Sequence, residues 1–184
     1  MSRLGKKIIK IPDGVEIKVD GQRIKVKGPK GELEKDIPDI LGVEIVDGGA
    51  RVKLHDGLSE TRDHSMFWGL GWAILKMMIE GVSVGFEKHL EFNGVGFKAQ
   101  VKGDSIELNL GYSHPVIIQA PEGITMQVEK NIIKIMGISK EKVGQTAAII
   151  RDARPPEPYK GTGIKYKDEV IIRKAGKKAA ATAA

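Results

Sequence analysis

The chain has 184 residues, a formal net charge of +6 and a pI near 9.4. It contains no cysteine, which excludes a disulfide framework, zinc-thiolate sites and thiol nucleophiles. Hydrophobic residues make up 41% and aromatic residues 5%, so cores can form but must be mostly aliphatic. No apolar run approaches the roughly 18 residues a spanning helix needs. No apolar stretch follows Met1-Ser2-Arg3-Leu4-Gly5-Lys6-Lys7, so a soluble chain without a signal peptide is expected.

In chain order, the first feature is a basic run, Arg3, Lys6, Lys7 and Lys10, ahead of the first acid, Asp13. Pro12-Asp13-Gly14-Val15 follows, and Pro121-Glu122-Gly123-Ile124 matches it at an offset of 109. With no gap the match runs on through Val19/Val128, Ile24/Ile133, Lys25/Lys134, Gly28/Gly137 and Glu32/Glu141. Seven of the 21 positions from 12 to 32 are identical. Both stretches alternate apolar and polar residues at period two, the pattern of paired strands. Asp20-Gly21 signals a hairpin turn in the first, and Lys130-Asn131 takes its place in the second. Two copies are too few for a solenoid. Duplication of a small α+β domain is the simpler expectation.

Further strands are expected over Gly31–Asp36, 43–46 and 51–55. A helix is expected over 59–80, with Ser59 as its cap, Glu60 and Asp63 in its first turn and Gly81 as its terminator. Its apolar positions form two stripes, Phe67, Leu70, Ile74, Met78 and Trp68, Trp72, Leu75, Ile79. So wide a surface should pack on a sheet, with Gly69 and Gly71 permitting close approach. The second half reads as strands over 91–101, 105–112 and Val116–Gln119, then a helix over 139–150 with Val143, Ala147 and Ile150 inward. Pro155 and Pro156 prevent its continuation. A strand pair, 164–166 with 170–173, precedes a Lys/Ala-rich tail. The expected domains are 1–82, 83–175 and a basic, disordered tail over 176–184.

Catalytic constellations are not legible. The histidines, His55, His64, His89 and His114, do not pair at helical spacing or join a metal-ligand cluster. Asn93-Gly94-Val95-Gly96 lies within a strand pattern and lacks the third glycine of a dinucleotide fold, so a bulge is expected. An enzyme reading, such as a hydrolase built on Asp63 and His64, lacks converging titratable groups. No catalytic residue, metal site or cofactor is therefore expected.

Charge and stiffness converge near the C-terminus. From Arg151 onward nine Lys/Arg stand against four Asp/Glu, a net +5 out of +6. Such a basic segment suits a polyanion. Pro155, Pro156 and Pro158 fix an extended backbone. Arg151 and Arg154 precede them, and Lys160, Lys165 and Lys167 follow. Gly161 and Gly163 let another backbone come close, and Tyr159 and Tyr166 offer stacking faces. This equipment grips folded RNA by shape and phosphate, and the plainer reading is a loop tying helix to strand. A free RNA-binding protein or RNA chaperone would carry the same charge pattern.

The run from Ser139 to Tyr166, with its Arg-x-x-Arg-Pro-Pro-Glu-Pro-Tyr-Lys-Gly core, closely resembles the bacterial-type large-subunit ribosomal protein L6 family. So do Pro12–Val15, Lys27–Gly31 and Leu110–Pro115. The resemblance covers nearly the whole chain. It implies two duplicated α+β domains, each an antiparallel-rich sheet against one helix. It also implies binding to 23S rRNA, mainly through the C-terminal domain. The implied setting is the cytoplasmic ribosome near the stalk base and sarcin–ricin loop. There the partners are neighbouring large-subunit proteins, translational GTPases dock nearby, and no membrane is involved. The implied rRNA-binding residues are Arg151, Arg154, Pro155, Pro156, Tyr159, Lys160, Gly161, Gly163, Lys165 and Tyr166. The sequence departs from the family's common Lys at Thr162 and common Arg at Lys165, which removes one cation and one planar donor fork.

Overall fold

The computed structural model describes residues 3–46, 48–55 and 61–176, apart from the side chain of Arg62. The chain divides into two compact units, 1–86 with 137–140 and 87–136 with 141–184. The first unit begins with β1 (Ile9–Lys10) and the meander β2 (Glu16–Asp20), β3 (Arg23–Gly28) and β4 (Gly31–Asp36). Next come β5 (Leu41–Val46), β6 (Gly49–Leu54) and helix α1 (Arg62–Ser83). The sheets are ordered β2-β3-β4 and β1-β6-β5, with every pair antiparallel. Period-two alternation turns Ile24, Val26 and Val52 inward against Leu75, Met78 and Val82 of α1.

Thr61 caps α1 in place of the expected Ser59: its hydroxyl accepts from the His64 backbone N–H. Ser59 and Glu60 lie outside the described residues. Gly81 does not end the helix, which runs three residues beyond Glu80 to Ser83. A Cβ on Gly81 would fall 2.1 Å from the carbonyl oxygen of Ile138, of the same unit, so close approach explains this glycine. Of the two apolar stripes, Trp68, Leu75 and Ile79 are buried, as are Ile74 and Met78, whereas Phe67 and Leu70 are exposed. Trp68 Nε1 donates to the Val52 carbonyl at 2.8 Å, and Trp72 Nε1 to that of Lys7 at 2.9 Å.

Apart from Phe86, Gly137 and Lys140, which fall in the first unit, the second unit contains β7 (Phe86–Asn93), β8 (Lys98–Lys102), β9 (Ser105–Asn109), β10 (Val116–Gln119), β11 (Ile124–Glu129), β12 (Ile132–Gly137), helix α2 (Lys140–Asp152) and β13 (Gly163–Tyr166). Its sheets are ordered β10-β9-β8 and β11-β12-β7-β13. Val143, Ala147 and Ile150 are buried on α2 as their spacing implied, joined by Thr146. The expected strand over 91–101 is two strands separated by a turn, in which Phe97 N–H donates to the Gly94 carbonyl and Gly96 has φ +77°. The expected bulge at Gly94–Gly96 is therefore this turn. The strand pair 164–166 with 170–173 does not form. β13 pairs instead with β7, Ile164 opposite Phe92, and 170–173 joins no sheet. The tail from 177 to 184 lies outside the described residues.

Duplication is present, but not at the offset of 109. β2 and β3 recur as β8 and β9, 82 residues on, and β5 and β6 recur as β11 and β12, 83 residues on. The hydrogen bonds follow the same rule. Val15 N–H to Pro12 O matches Phe97 to Gly94, both 3.3 Å. Ile37 to Gln22 (2.9 Å) matches Ala120 to Asp104 (2.7 Å), and Leu41 to Pro38 (2.9 Å) matches Ile124 to Pro121 (3.2 Å). The buried pair Ile24 and Val26 becomes Ile106 and Leu108. The offset of 109 aligned two hairpins of similar build that hold different places in the duplicated unit.

Candidate nucleic-acid interface

The segment that follows α2 is a closed loop, not a free arm. Ile164 N–H donates to the Arg154 carbonyl (2.8 Å), Glu157 to Thr162 (2.9 Å) and Gly161 to Glu157 (3.1 Å). Prolines cannot donate, so these rungs come from the residues between and after them. Gly163 has φ +137°, and a Cβ there would lie 2.6 Å from the Pro155 carbonyl oxygen and 2.7 Å from Pro156 Cα. The backbone that approaches Gly163 is thus the chain's own. Gly161, at φ +74°, has the Arg173 guanidinium 3.3 Å from its Cβ position. Lys174 N–H donates to the Pro158 carbonyl at 2.8 Å, tying the following segment to the loop.

Both arginines before the prolines are engaged inside the unit. Arg151 makes a fork on Glu169, Nε to Oε2 at 3.0 Å and Nη2 to Oε1 at 2.5 Å. The Arg151 hydrogen bond holds the Glu169 carboxyl below the usual carboxylate range, against partial burial, and Glu169 raises Arg151 in turn. Glu169 also accepts from the Tyr166 backbone N–H at 3.1 Å. Arg154 donates to the Leu110 carbonyl at 2.9 Å and lies over two rings, 4.9 Å from the Tyr112 centroid and 5.6 Å from that of Phe97. The Tyr112 hydroxyl donates to the Ala153 carbonyl at 3.1 Å.

The remaining expected residues divide by exposure. Tyr159 is 59% exposed, and Lys160 and Pro155 are also exposed, while Pro156 is half-buried. Lys165, half-buried, pairs with Glu91 at 3.4 Å. Tyr166 has the cations of Arg151 and Lys88 within 6 Å of its ring. Sequence reading missed Glu169, Phe97, Arg173 and Lys174. Tyr112 lies within the quoted 110–115 motif, but its role there needed the fold. Glu169 carries no local signal, because its partner is 18 residues away.

Among the described residues, no group of three or more His, Cys, Asp or Glu could hold a metal ion. No helix there is long and apolar enough to cross a membrane.

Comparison with known proteins agrees with this architecture. The family model described as ribosomal protein L6 matches twice, over residues 11–85 and 93–167, a spacing of 82 that coincides with the structural duplication. The chain is 50% identical to the large ribosomal subunit protein uL6 of Methylobacterium sp. (strain 4-46), over 97% of this chain and 99% of that protein. It is 50% identical to the uL6 protein of a Nitratiruptor species, again over 97% and 99%. A Synechococcus sp. (strain RCC307) relative of the same name is 49% identical over 96% and 98%. With two matches of the family model and relatives aligned over nearly their full length, the chain belongs to the ribosomal protein L6 family.

Proposed function

We propose that this chain is a structural constituent of the large ribosomal subunit. It binds and stabilises 23S rRNA in the cytoplasmic ribosome and catalyses no reaction. The grip lies in the C-terminal domain, residues 83–175, on the surface built by Arg151–Tyr166. Its position is near the stalk base and sarcin–ricin loop, among neighbouring subunit proteins and close to where translational GTPases dock. The observation that carries this reading is the closed proline loop. Main-chain bonds fix its shape before any ligand arrives, and it presents exposed Tyr159 and Lys160. A preformed surface binds with less ordering cost than a free arm, and family membership supplies the RNA as the polyanion.

The test is crosslinking within purified large subunits, followed by mapping of peptides and nucleotides. Crosslinks should cluster in 151–174 and reach 23S rRNA around the sarcin–ricin loop. A chain that fails to sediment with large subunits, or whose crosslinks come only from the first unit, would overturn the proposal.

A further inference from the structure

Among the basic residues around the proline loop, two chemically distinct groups stand out. Arg151 has two of its donors on Glu169, and Arg154 is held by the Leu110 carbonyl and two aromatic rings. Lys160, Arg173 and Lys174 are exposed, and no ion pair to a carboxylate joins them among the described residues. These three are also gathered. The Arg173 guanidinium lies beside Gly161, next in sequence to Lys160, and the Lys174 backbone is bonded to Pro158. The segment 170–174 belongs to no sheet, so this main-chain bond fixes it against the loop.

We infer that Lys160, Arg173 and Lys174 form the phosphate-binding site for an RNA backbone, and that Arg151 and Arg154 are positioning residues that hold the loop in shape. This rests on the RNA-binding reading above and assigns the contacts within it. A guanidinium already forked onto a carboxylate gains little from a phosphate, because it would have to give up a bond of the same kind. An exposed cation without a carboxylate partner can neutralise a phosphate and so release the counterions condensed on the RNA. The two roles therefore have different signatures in salt.

The experiment measures binding of the full chain to a 23S rRNA transcript across a salt series, with thermal unfolding of each variant alongside. The triple variant Lys160→Gln, Arg173→Gln, Lys174→Gln should flatten the log–log slope by about 0.7–0.9 per residue removed, with its unfolding midpoint unchanged. Arg151→Gln and Arg154→Gln should lower the unfolding midpoint and leave the slope as in the parent chain. Glu169→Gln extends the test. It raises the net charge by one, yet it should weaken RNA binding, because Arg151 and the Tyr166 turn lose the two-oxygen carboxylate they share. An unchanged slope in the triple variant overturns the site. A flattened slope with unchanged stability in either arginine variant overturns the division of roles. If the parent chain shows no salt-dependent RNA binding, the function proposed above falls, and this assignment with it.

Discussion

Lys130 occupies the two-residue loop between β11 and β12 at φ +55°, the one non-glycine residue with positive φ among those described. An L side chain in that region costs roughly 1–2 kcal/mol, while glycine's extra freedom in the unfolded chain offsets about 0.5–1 kcal/mol. Lys130→Gly should therefore stabilise the protein by about 0.5–1 kcal/mol, read as a raised denaturant midpoint. Gly163→Ala should do the opposite. Its φ of +137° alone implies roughly 1–3 kcal/mol, and the Pro155 and Pro156 backbones leave no room for the methyl group. The Arg151–Glu169 pair makes stability depend on pH. Because the folded carboxyl is held below its unfolded value of about 4.3, the unfolded state binds more protons in acid. The pair's stabilisation is complete above that value and is lost as pH falls through the lower folded value. Glu169→Gln should therefore flatten the fall in thermal midpoint below about pH 4.3, and an unchanged acid limb would contradict the pairing. At this scale the sequence revealed residue types better than roles. Gly163, Arg151 and Arg154 stood out as a motif, but what each one faces is set by residues far away in the chain.

The two helices separate glycines that look alike in sequence. A Cβ on Gly71 of α1 would sit 2.5 Å from Leu41 Cδ1, whereas one on Gly144 of α2 would meet nothing within 4 Å. Alanine relieves about 1 kcal/mol of helix cost at either position. Gly144→Ala should thus gain about 0.5–1 kcal/mol, while overpacking against Leu41 should turn Gly71→Ala into a loss of about 1–2 kcal/mol. Parallel chemical denaturation of the two variants checks both. Elements with strict local period were readable, as at β4, β10 and the Val143, Ala147, Ile150 stripe. Elements defined by distant partners were not. β13 was foreseen as a strand, yet its pairing with β7 depends on residues about 70 positions earlier. The duplication was visible, but its register was lost. The true counterparts of Gly14, Val19, Gly21 and Ile24 are Gly96, Val101, Gly103 and Ile106, a sparser match than the one at 109. What the duplicated unit retains is turn geometry and inward-facing bulk, and those requirements admit many residues.

Across the whole molecule, the two units handle charge differently. On the solvent-facing side of the β2-β3-β4 sheet, Arg23 pairs with Glu34 and Asp36, and Lys25 pairs with Glu34, so that face is largely neutralised within itself. In the second unit, the residues from Arg151 onward hold nearly all of the chain's excess positive charge. Aromatic residues divide along the same line. Trp68 and Trp72 are the chain's two tryptophans and both lie on α1, while Tyr112, Tyr159 and Tyr166 all lie in the second unit. The molecule is in effect labelled with two separate chromophores. Indole emission comes from the first unit alone, and Trp68, buried and hydrogen-bonded to Val52, should shift to the red only when that unit opens. Phenol emission comes from the second unit, where a base stacked on the exposed Tyr159 ring would quench it. Titration with 23S rRNA should therefore leave the tryptophan maximum in place while the tyrosine signal falls, so ligand capture and loss of fold can be followed in one cuvette without any added dye.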